Sequence, residues 1–394
     1  MTRVTIICQL YSGLEIVLKS QSWTHTGSPA FYNFIKIINQ NDKFSSDIFL
    51  LATKKIKGPK KIKLKGIKNK VHICSGPGIS KSKNTFLNKL SFFRGKLIQA
   101  FIIFKNLSPT DVFYIDRDNI LIGFFVLLFT KKKVVFRMLG ITQSFYLHLV
   151  QKKKLFSFLL KWVFQHKNSY FICTNDGSYS SKIASIYGPK KFMLMFNGVN
   201  FMKKSDYESK KKQYKIIYPA RFEQSKGHID IINFFKYYKN RNSFKVTFIG
   251  GGSLLNFSKK LVTDFELESN IEFIEATEHQ TIMTLLKNSD LFLSVNSDGS
   301  IGNNVLEASS LGIPIITLFH PGCDKSDLKN FRIISSLSNL RNELTFELNN
   351  FLRSQSYRYQ MSKDSFCFAK ENIQNWDDRI HKELHFLTGL NKKQ

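Results

Sequence analysis

Short apolar runs alternate with longer amphipathic stretches along most of the chain. Runs such as Val4–Leu10 and Leu291–Val295 have the length of buried strands, whereas Thr85–Asn106 repeats its apolar residues at helical spacing. Strands that alternate with helices are typical of a parallel sheet covered by helices on both faces. The pattern therefore predicts an α/β fold.

The alternation is interrupted once, by a polar and charged stretch at 201–214, and then resumes. A chain of 394 residues is long enough for two domains with separate cores. We predict two Rossmann-like, doubly wound domains facing each other across a cleft. The N-terminal domain spans 1–200, the C-terminal domain spans 215–375, and 201–214 is the linker. Residues 376–394 form a last helix and tail.

The first strand leads into a turn of nucleotide-binding type. We predict a polar connection over Tyr11–Gly27 and then a helix over Ala30–Ile38, with Ser28 as its cap. The full G-x-G-x-x-G pattern is absent here. Thr26-Gly27-Ser28 can still place a backbone N–H against a phosphate. An ordinary capped turn is the alternative.

The most informative segment runs from Ser289 to Thr317. It reads as strand, glycine-bearing turn, helix and strand, with the turn at Asn296–Gly302. A helix N-terminus offers free N–H groups and the positive end of its dipole to a phosphate. Glu307 falls a little over one turn into that helix, where it can accept hydrogen bonds from ribose hydroxyls or remain a solvated residue.

Two cations share the loop after the predicted strand Lys215–Pro219. Arg221 and Lys226 are five positions apart, and Lys226 comes just before a helix. Together they can neutralise a diphosphate and the charge that develops on a departing nucleotide. Because ligands of open α/β sheets bind beyond the carboxyl ends of the strands, we expect both near Gly250–Gly252 and Ser297–Gly302. Two solvated surface cations are the alternative.

The positive charge is concentrated in the first half of the chain. Residues 1–200 hold 32 Lys and Arg against 7 Asp and Glu, a net charge of +25, whereas the whole chain carries +30. Such a half attracts an anionic membrane surface or nucleic acid. Compositional drift of a lysine-rich chain is the alternative. No helix-turn-helix or base-stacking signature is evident, so no nucleic-acid partner is expected.

Two stretches have membrane-like composition. The apolar run Ile120–Thr130 is too short to span a bilayer and is predicted to be a buried helix. Gln143–Phe164 combines aromatic and basic residues, which suits either core packing or a membrane interface. The lysine-rich stretch Lys54–Lys70 is a loop or short hairpin, either solvated or in contact with phospholipid headgroups. With five scattered cysteines and no evident secretory signal, we expect a cytoplasmic protein.

Other chemistries lack their signatures. The sequence has no His-Glu-x-x-His motif, no carboxylate cluster for a divalent metal, no nucleophile elbow and no Walker loop. We therefore expect neither a metal nor a resident cofactor.

Five features together resemble the nucleotide-sugar glycosyltransferases of family four, which have the GT-B fold. The features, in chain order, are Thr174–Ser178 followed by Asn197–Asn200; Arg221–Gly227, as Arg-x4-Lys-Gly; the glycines Gly250–Gly252; Ser289 through Glu307 to Pro314; and Trp376 before the last helix. In this family the last helix crosses back to the first domain.

The resemblance implies a retaining, metal-independent transfer from a nucleotide-diphosphate sugar. Arg221 and Lys226 would hold the diphosphate, and Glu307 would hold the ribose. The donor-binding positions it implies are Gly27, Gly250, Asp298, Gly299, Ser300, Ile301, Gly302 and Asn303. The expected acceptor is a glycan or lipid-linked glycan at the cytoplasmic membrane face, as in bacterial-type surface polysaccharide or lipopolysaccharide synthesis.

Two positions depart from the family pattern. The family usually has an acid eight positions before the residue equivalent to Glu307, and here that position is Gly299, with Asp298 one residue earlier. A one-residue bulge would let Asp298 serve. The family also often has a histidine after the strand matching Lys133–Met138, and Leu139-Gly140 provides none. The alternative function is therefore a catalytically impaired relative that acts as the membrane-associated partner of another transferase.

Overall fold

The computed structural model describes residues 1–24, 28–52, 61–76, 85–116, 119–151, 154–201 and 211–391. The chain divides into two compact units. Unit 1 comprises Met1–Thr174, Ile183–Met195 and Trp376–Gln394, and unit 2 comprises Asn175–Lys182 and Phe196–Asn375.

Unit 1 is built on a sheet that has eight strands within the described residues. In chain order they are β1 (Thr2–Gln9), β2 (Phe44–Ala52), β3 (Lys61–Lys63), β4 (Lys70–Ser75), β5 (Val112–Asp116), β6 (Lys133–Met138), β7 (Ser169–Thr174) and β8 (Phe192–Met195). Their order across the sheet is β3-β4-β2-β1-β5-β6-β7-β8, and only the β3–β4 pairing is antiparallel.

The helices of unit 1 cover this sheet. They are α1 (Ser12–Ser20), α2 (Pro29–Gln40), α3 (Thr85–Lys105), α4 (Ile120–Phe129), α5 (Gln143–Val150), α6 (Leu155–Gln165), most of α7 (Ser180–Tyr187) and the C-terminal α14 (Trp376–Asn391). The register pairs Ile6 of β1 with Ile48 on one side and Tyr114 on the other. These central strands are buried on both faces, as parallel strands between two helix layers must be.

Unit 2 contains a second sheet, which is parallel throughout its described strands. The strands are β9 (Tyr214–Pro219), β10 (Phe244–Ile249), β11 (Ile271–Ile274), β12 (Leu291–Ser294), β13 (Ile315–Leu318) and β14 (Arg332–Ile334), in the spatial order β11-β10-β9-β12-β13-β14. Successive residues Ile216 and Ile217 of β9 enter different core clusters, so both faces of the sheet are buried.

The helices of unit 2 are α8 (His228–Tyr237), α9 (Leu255–Asp264), α10 (His279–Lys287), α11 (Asn303–Ser310), α12 (Leu340–Arg353) and α13 (Gln355–Asn372). From the central pair β9 and β12 the chain adds strands outward on both sides, β10 and β11 on one side and β13 and β14 on the other. This arrangement makes the sheet doubly wound. The predicted pair of parallel α/β sheets is confirmed.

The C-terminal helix belongs to unit 1, as predicted. Its apolar residues Ile380, Leu384 and Leu387 join the core that contains β1, β2 and α2. Its polar residues enter a buried ionic cluster. The Glu383 carboxylate accepts hydrogen bonds from the Tyr114 hydroxyl and the Arg379 guanidinium, and it lies within electrostatic reach of Arg137 on β6. Burial and the neighbouring Glu383 raise the pKa of Tyr114 well above its ordinary value.

One prediction about a helix was wrong. Tyr11–Gly27 was predicted to be a polar connection, but Ser12–Ser20 forms α1, which buries Leu14 and Val17 on one side. Two apolar residues three positions apart are too few to reveal a helix from periodicity. The helix predicted over Thr85–Asn106 is present as α3, but Leu90, Leu97 and Phe101 on its apolar side are exposed. The linker prediction falls largely on residues 202–210, outside the described residues.

Replacing Glu383 by glutamine is expected to destabilise the fold by about 3 kcal/mol, because it leaves buried arginine charges without their carboxylate partner. The measurement is urea-induced unfolding of the full chain. Glu371→Gln, an exposed glutamate on α13, is the matched control and should leave the unfolding midpoint unchanged. Equal midpoints for the two variants would show that the buried cluster does not hold α14 in place.

Candidate functional site

The loops that carry the predicted site residues of unit 2 gather at one end of its sheet. Because all described strands of this sheet are parallel, the loops after β9, β10, β11, β12 and β13 leave it at the same end. We call this end the carboxyl edge. It holds Arg221 and Lys226 after β9, Gly250 after β10, and the turn 295–302 between β12 and α11.

The turn before α11 is fixed by internal hydrogen bonds. The Asn296 amide donates to the carbonyl of Gly299 at 3.0 Å, and its oxygen accepts from the backbone N–H of Asp298 at 3.0 Å. Ser300 donates its hydroxyl to the carbonyl of Leu318 at 2.9 Å and accepts from the N–H of His320 at 2.9 Å. The turn is therefore rigid before any ligand arrives.

The N-terminus of α11 points out of this turn. Gly302 occupies the N-cap position and caps the helix with no side-chain hydrogen bond. The N–H of Val305 donates to the Asn304 side chain at 2.9 Å, but a helix N-terminus still suits an anion through its dipole and its earlier amides. Ile301 is buried beneath the turn, and the Asn303 side chain accepts a hydrogen bond from Asn197 at 2.7 Å.

Lys226 is the cation that lies closest to the turn. Its ammonium donates to Asn296 Oδ1 at 3.0 Å and pairs with Asp298 Oδ2 at 2.9 Å, while Ser225 donates to the same carboxylate oxygen at 2.7 Å. Burial alone would raise the pKa of Asp298, but the hydrogen bonds from Lys226 and Ser225 outweigh burial and hold that pKa below its usual value. The fold thus brings two of the predicted site residues, Lys226 and Asp298, into direct contact.

Arg221 is oriented differently. Its guanidinium pairs with Glu223 on the same loop at 3.1 Å, and both side chains are exposed. An exposed pair of this kind contributes little stability, so Arg221 can exchange Glu223 for another anion at low cost.

Glu307 also has a partner. Its Oε1 lies 2.7 Å from Nε2 of His279, the first residue of α10. The hydrogen bond to Glu307 raises the pKa of His279 above its ordinary value, against the smaller opposing effect of burial. Sequence reasoning missed His279, since the two residues are 28 positions apart and only the parallel sheet brings α10 beside α11.

Gly250 is required by the packing of its turn. Its φ is +149°, and a Cβ there would come within 2.3 Å of the carbonyl oxygen of Ala220. The glycine turn after β10 therefore lies directly on the backbone of the Arg221 loop, which a side chain would push away.

Gly299, the position where the family pattern has an acid, has no room for a side chain. A Cβ there would lie 2.9 Å from the carbonyl oxygen of Asp176, which also accepts the N–H of Ile301 at 2.9 Å. The segment 175–178 thus fills the space beside the turn. Its residue Asp176 brings a carboxylate that sequence reasoning did not select.

The Asp176 carboxylate is partly buried and accepts from the N–H of Ser178 at 3.1 Å. Burial raises its pKa from 3.8 to about 6, although the Ser178 hydrogen bonds and the charge of Lys226 pull it down. An acid whose pKa lies this close to neutrality is a common feature of functional sites.

His320, which follows β13, is a second residue that sequence reasoning missed. It is buried beside Tyr179, its Nδ1 accepts from the N–H of Gly322 at 3.0 Å, and its own N–H bonds Ser300. Burial lowers its pKa, while the charge of Asp298 opposes that shift. His320, with a neutral ring, therefore helps to hold the turn 295–302 in place through Ser300.

Three further findings concern the expected ligands and membrane attachment. Gly27, with His25 and Thr26, lies outside the described residues. Among the residues that the structure describes, no group of three His, Cys, Asp or Glu side chains is arranged to hold a metal ion. No helix in the described part of the chain has the length and apolar character needed to cross a membrane.

The comparisons with known proteins agree with this geometry. Residues 201–331 match the family described as glycosyl transferases group 1. No curated protein matches the sequence. Residues 201–331, about a third of the chain, are thus similar to the group 1 glycosyl transferases, in agreement with the predicted family four. The predicted class, a retaining glycosyltransferase, is thereby confirmed, and a nucleotide sugar is the donor class of that family.

Solved structures share the fold along the whole chain. HepE of Anabaena, in complex with UDP and glucose, has a TM-score of 0.66 at 11% identity, covering 98% of this chain and 99% of its own. The lipopolysaccharide outer core galactosyltransferase WaaB has a TM-score of 0.65 at 14% identity, covering 98% and 100%. A glycosyltransferase of Rickettsia africae has a TM-score of 0.63 at 13% identity, covering 100% and 99%. These similarities establish the GT-B fold.

Asp176→Asn is expected to stabilise the protein at neutral pH. Because the folded-state pKa of Asp176 is raised to about 6 from 3.8, the ionised carboxylate destabilises the fold, and this cost grows between about pH 4 and pH 6 and stays constant above that range. The variant should gain about 3 kcal/mol at pH 8 and little below about pH 4. Urea unfolding at both pH values tests this, with exposed Asp264→Asn as the control. A pH-independent difference would refute the assignment.

The pKa of His279 is expected to depend on Glu307. In the wild type, NMR titration should give a pKa above the ordinary value of 6.5, and Glu307→Gln should lower it, because only the opposing effect of burial then remains. The hydrogen-bonded pair contributes its full stability below about pH 6.5 and loses it as the pH rises through the raised pKa. An unchanged titration in Glu307→Gln would mean that the two side chains do not interact in solution.

Proposed function

We propose that this chain transfers a sugar from a nucleotide-diphosphate sugar, with retention, to a glycan or lipid-linked acceptor in the synthesis of a bacterial-type surface polysaccharide or lipopolysaccharide. One observation carries the proposal: Lys226, the N-terminus of α11 and Glu307 gather at the carboxyl edge of unit 2 in a chain of a glycosyltransferase family. The solved relatives HepE, with UDP and glucose, and WaaB, a lipopolysaccharide galactosyltransferase, support the donor and acceptor classes.

The donor diphosphate would occupy the space in front of the turn 295–302. Lys226 is held there by Asn296 and Asp298, so its charge is positioned before the ligand binds. Arg221 would leave Glu223 and add a second charge-assisted contact. As the nucleoside diphosphate departs from the sugar, these cations and the α11 amides would stabilise its growing negative charge. This acts directly on the transition state.

The nucleoside would lie toward Glu307. A carboxylate on the second turn of α11 can accept hydrogen bonds from two ribose hydroxyls, and His279 holds it in place. In this proposal Gly250, Gly299, Ser300, Ile301, Gly302 and Asn303 supply backbone contacts, Gly27 closes on the diphosphate from the N-terminal half, and Asp298 lies toward the sugar. No metal ion takes part.

The proposed acceptor and the proposed membrane attachment are both argued from the charge of the N-terminal half. With a net charge of +25 over residues 1–200, this half is attracted to an anionic bilayer or to anionic lipid-linked glycans. We accordingly place the protein in the cytoplasm, peripheral at the inner face of the cell membrane.

One observation favours a second candidate, a catalytically impaired relative that serves as partner of another transferase. The position of the family's acid is Gly299, and the backbone of Asp176 fills the space beside it. The Asp298 carboxylate is engaged by Lys226. Sugar transfer, or hydrolysis of any nucleotide sugar, by the purified protein would exclude this candidate.

Nucleotide binding tests the proposed site. A panel of nucleoside diphosphates and nucleotide sugars should contain at least one that raises the melting temperature, because a ligand that binds only the folded state stabilises it. Lys226→Met should weaken that ligand about 10- to 100-fold, as expected for the loss of a charge-assisted hydrogen bond. Arg221→Gln should weaken it as well.

The matched control is Lys287→Met, an exposed lysine at the last turn of α10, away from the carboxyl edge. It should bind like the wild type. Melting temperatures without ligand show whether each variant is folded. Wild-type affinity in both Lys226→Met and Arg221→Gln would place the donor elsewhere.

A further inference from the structure

Three helices of unit 1 leave large apolar side chains in solvent. Phe101 on α3 is 68% exposed, Phe129 at the end of α4 is 64% exposed, and Leu155 and Phe158 on α6 are 87% and 60% exposed. Leu97, one turn before Phe101, is exposed as well. We call these five residues the apolar face. Isolated exposed hydrophobic residues are ordinary, but a group of this size on neighbouring helices marks an interaction surface.

The helices that carry the apolar face form one continuous layer. On one side of α4, Phe93 of α3 meets Phe125 with ring centroids 5.6 Å apart, and on the other side Phe124 meets Trp162 of α6 at 5.1 Å. Phe104 of α3 also contacts the exposed Phe129, at 6.0 Å. Aromatic rings therefore join α3, α4 and α6 without a break, and the apolar face is one surface.

The charge around this surface has a single sign. Residues 85–169 contain fourteen Lys and Arg against three Asp, and none of the three aspartates lies on α3, α4, α5 or α6. Exposed cations stand along α3 and at or just beyond the helix ends, namely Arg94, Lys105, Lys131, Lys154 and Lys167. An apolar surface bordered by cations complements a bilayer with anionic headgroups.

The same charges disfavour a second copy of the chain as the occupant. Two copies joined through this surface would bring lysines and arginines toward one another with no acid on the facing helices to pair with them. Juxtaposed like charges oppose association. Charge complementarity thus selects an anionic lipid surface over self-association.

We propose that the apolar face inserts into the headgroup and acyl boundary of an anionic bilayer and seats unit 1 on the membrane. Phe101, Phe129, Leu155 and Phe158 enter the lipid, while the surrounding cations bind the headgroups. This inference rests on the peripheral membrane attachment in the proposed function and adds to it the surface that makes the contact. Attraction by charge alone would give a looser association that salt removes, whereas inserted apolar side chains resist salt.

Vesicle binding tests the insertion. The probes are vesicles of phosphatidylethanolamine with phosphatidylglycerol and vesicles of phosphatidylcholine alone, at low and high salt. The wild type should bind the anionic vesicles and retain part of this binding at high salt. Phe101→Gln and Leu155→Gln should each lower the partition coefficient about tenfold, since each removes a large apolar group from the lipid.

The chain offers a matched control in unit 2. Phe346 on α12 is 64% exposed, close to the 68% of Phe101, but lies outside the apolar face. Phe346→Gln should bind vesicles like the wild type. Equal binding by Phe101→Gln, Leu155→Gln and Phe346→Gln, with all binding lost at high salt, would overturn the proposal and leave only electrostatic attraction.

Two further readouts separate this proposal from others. Sedimentation of the wild type without lipid should show a monomer, and a dimer that Phe101→Gln dissociates would overturn the proposal in favour of a second copy. Nucleotide binding in unit 2 should be unchanged in Phe101→Gln and Leu155→Gln. Failure of vesicle binding with intact nucleotide binding refutes only the membrane surface, whereas the reverse result refutes only the donor site.

Discussion

Parallel strand pairing in unit 2 is the constraint on which the candidate site depends. Strands that all run in the same direction end at the same edge, so loops that lie far apart in sequence become neighbours. Lys226 and Asn296 are 70 positions apart, and His279 and Glu307 are 28 apart, yet each pair is in hydrogen-bond contact. The covalent chain positions none of these pairs. The parallel pairing of β11, β10, β9 and β12 positions all of them.

The charged groups at this edge are already paired before any ligand is present. Lys226 is held by Asp298, Arg221 by Glu223, and Glu307 by His279. For Lys226 and Glu307, which are partly buried, such pairs hold the charge in position and limit the cost of its burial, whereas the Arg221 pair is exposed and exchanges easily. A bound diphosphate would replace one set of anionic partners with another, so the net change in free energy is smaller than the sum of the new contacts.

Unit 1 has an apolar core but departs in two places from the usual distribution of polar and apolar residues. It buries an ionic cluster, in which Glu383 of α14 meets Arg379, Tyr114 and Arg137, and it exposes the phenylalanines of α3, α4 and α6. The buried cluster ties the C-terminal helix to the first sheet. A group of large exposed rings on neighbouring helices marks an interaction surface, which is why we assign these rings to an external partner.

Much of this protein was determined by its sequence alone. The alternation of short apolar runs with amphipathic stretches predicted both parallel sheets, since buried parallel strands must be apolar on both faces, and the spacing of Arg221, Lys226, Gly250–Gly252 and Glu307 indicated the family. Helix α1 escaped prediction because two buried residues leave little periodic signal. Only the tertiary structure brought His279 to Glu307, placed Asp176 beside Gly299, and left one side of α3 in solvent. Periodicity shows that a helix has an apolar side, but it does not show whether that side faces the core, because burial is decided by contacts between residues far apart in the sequence.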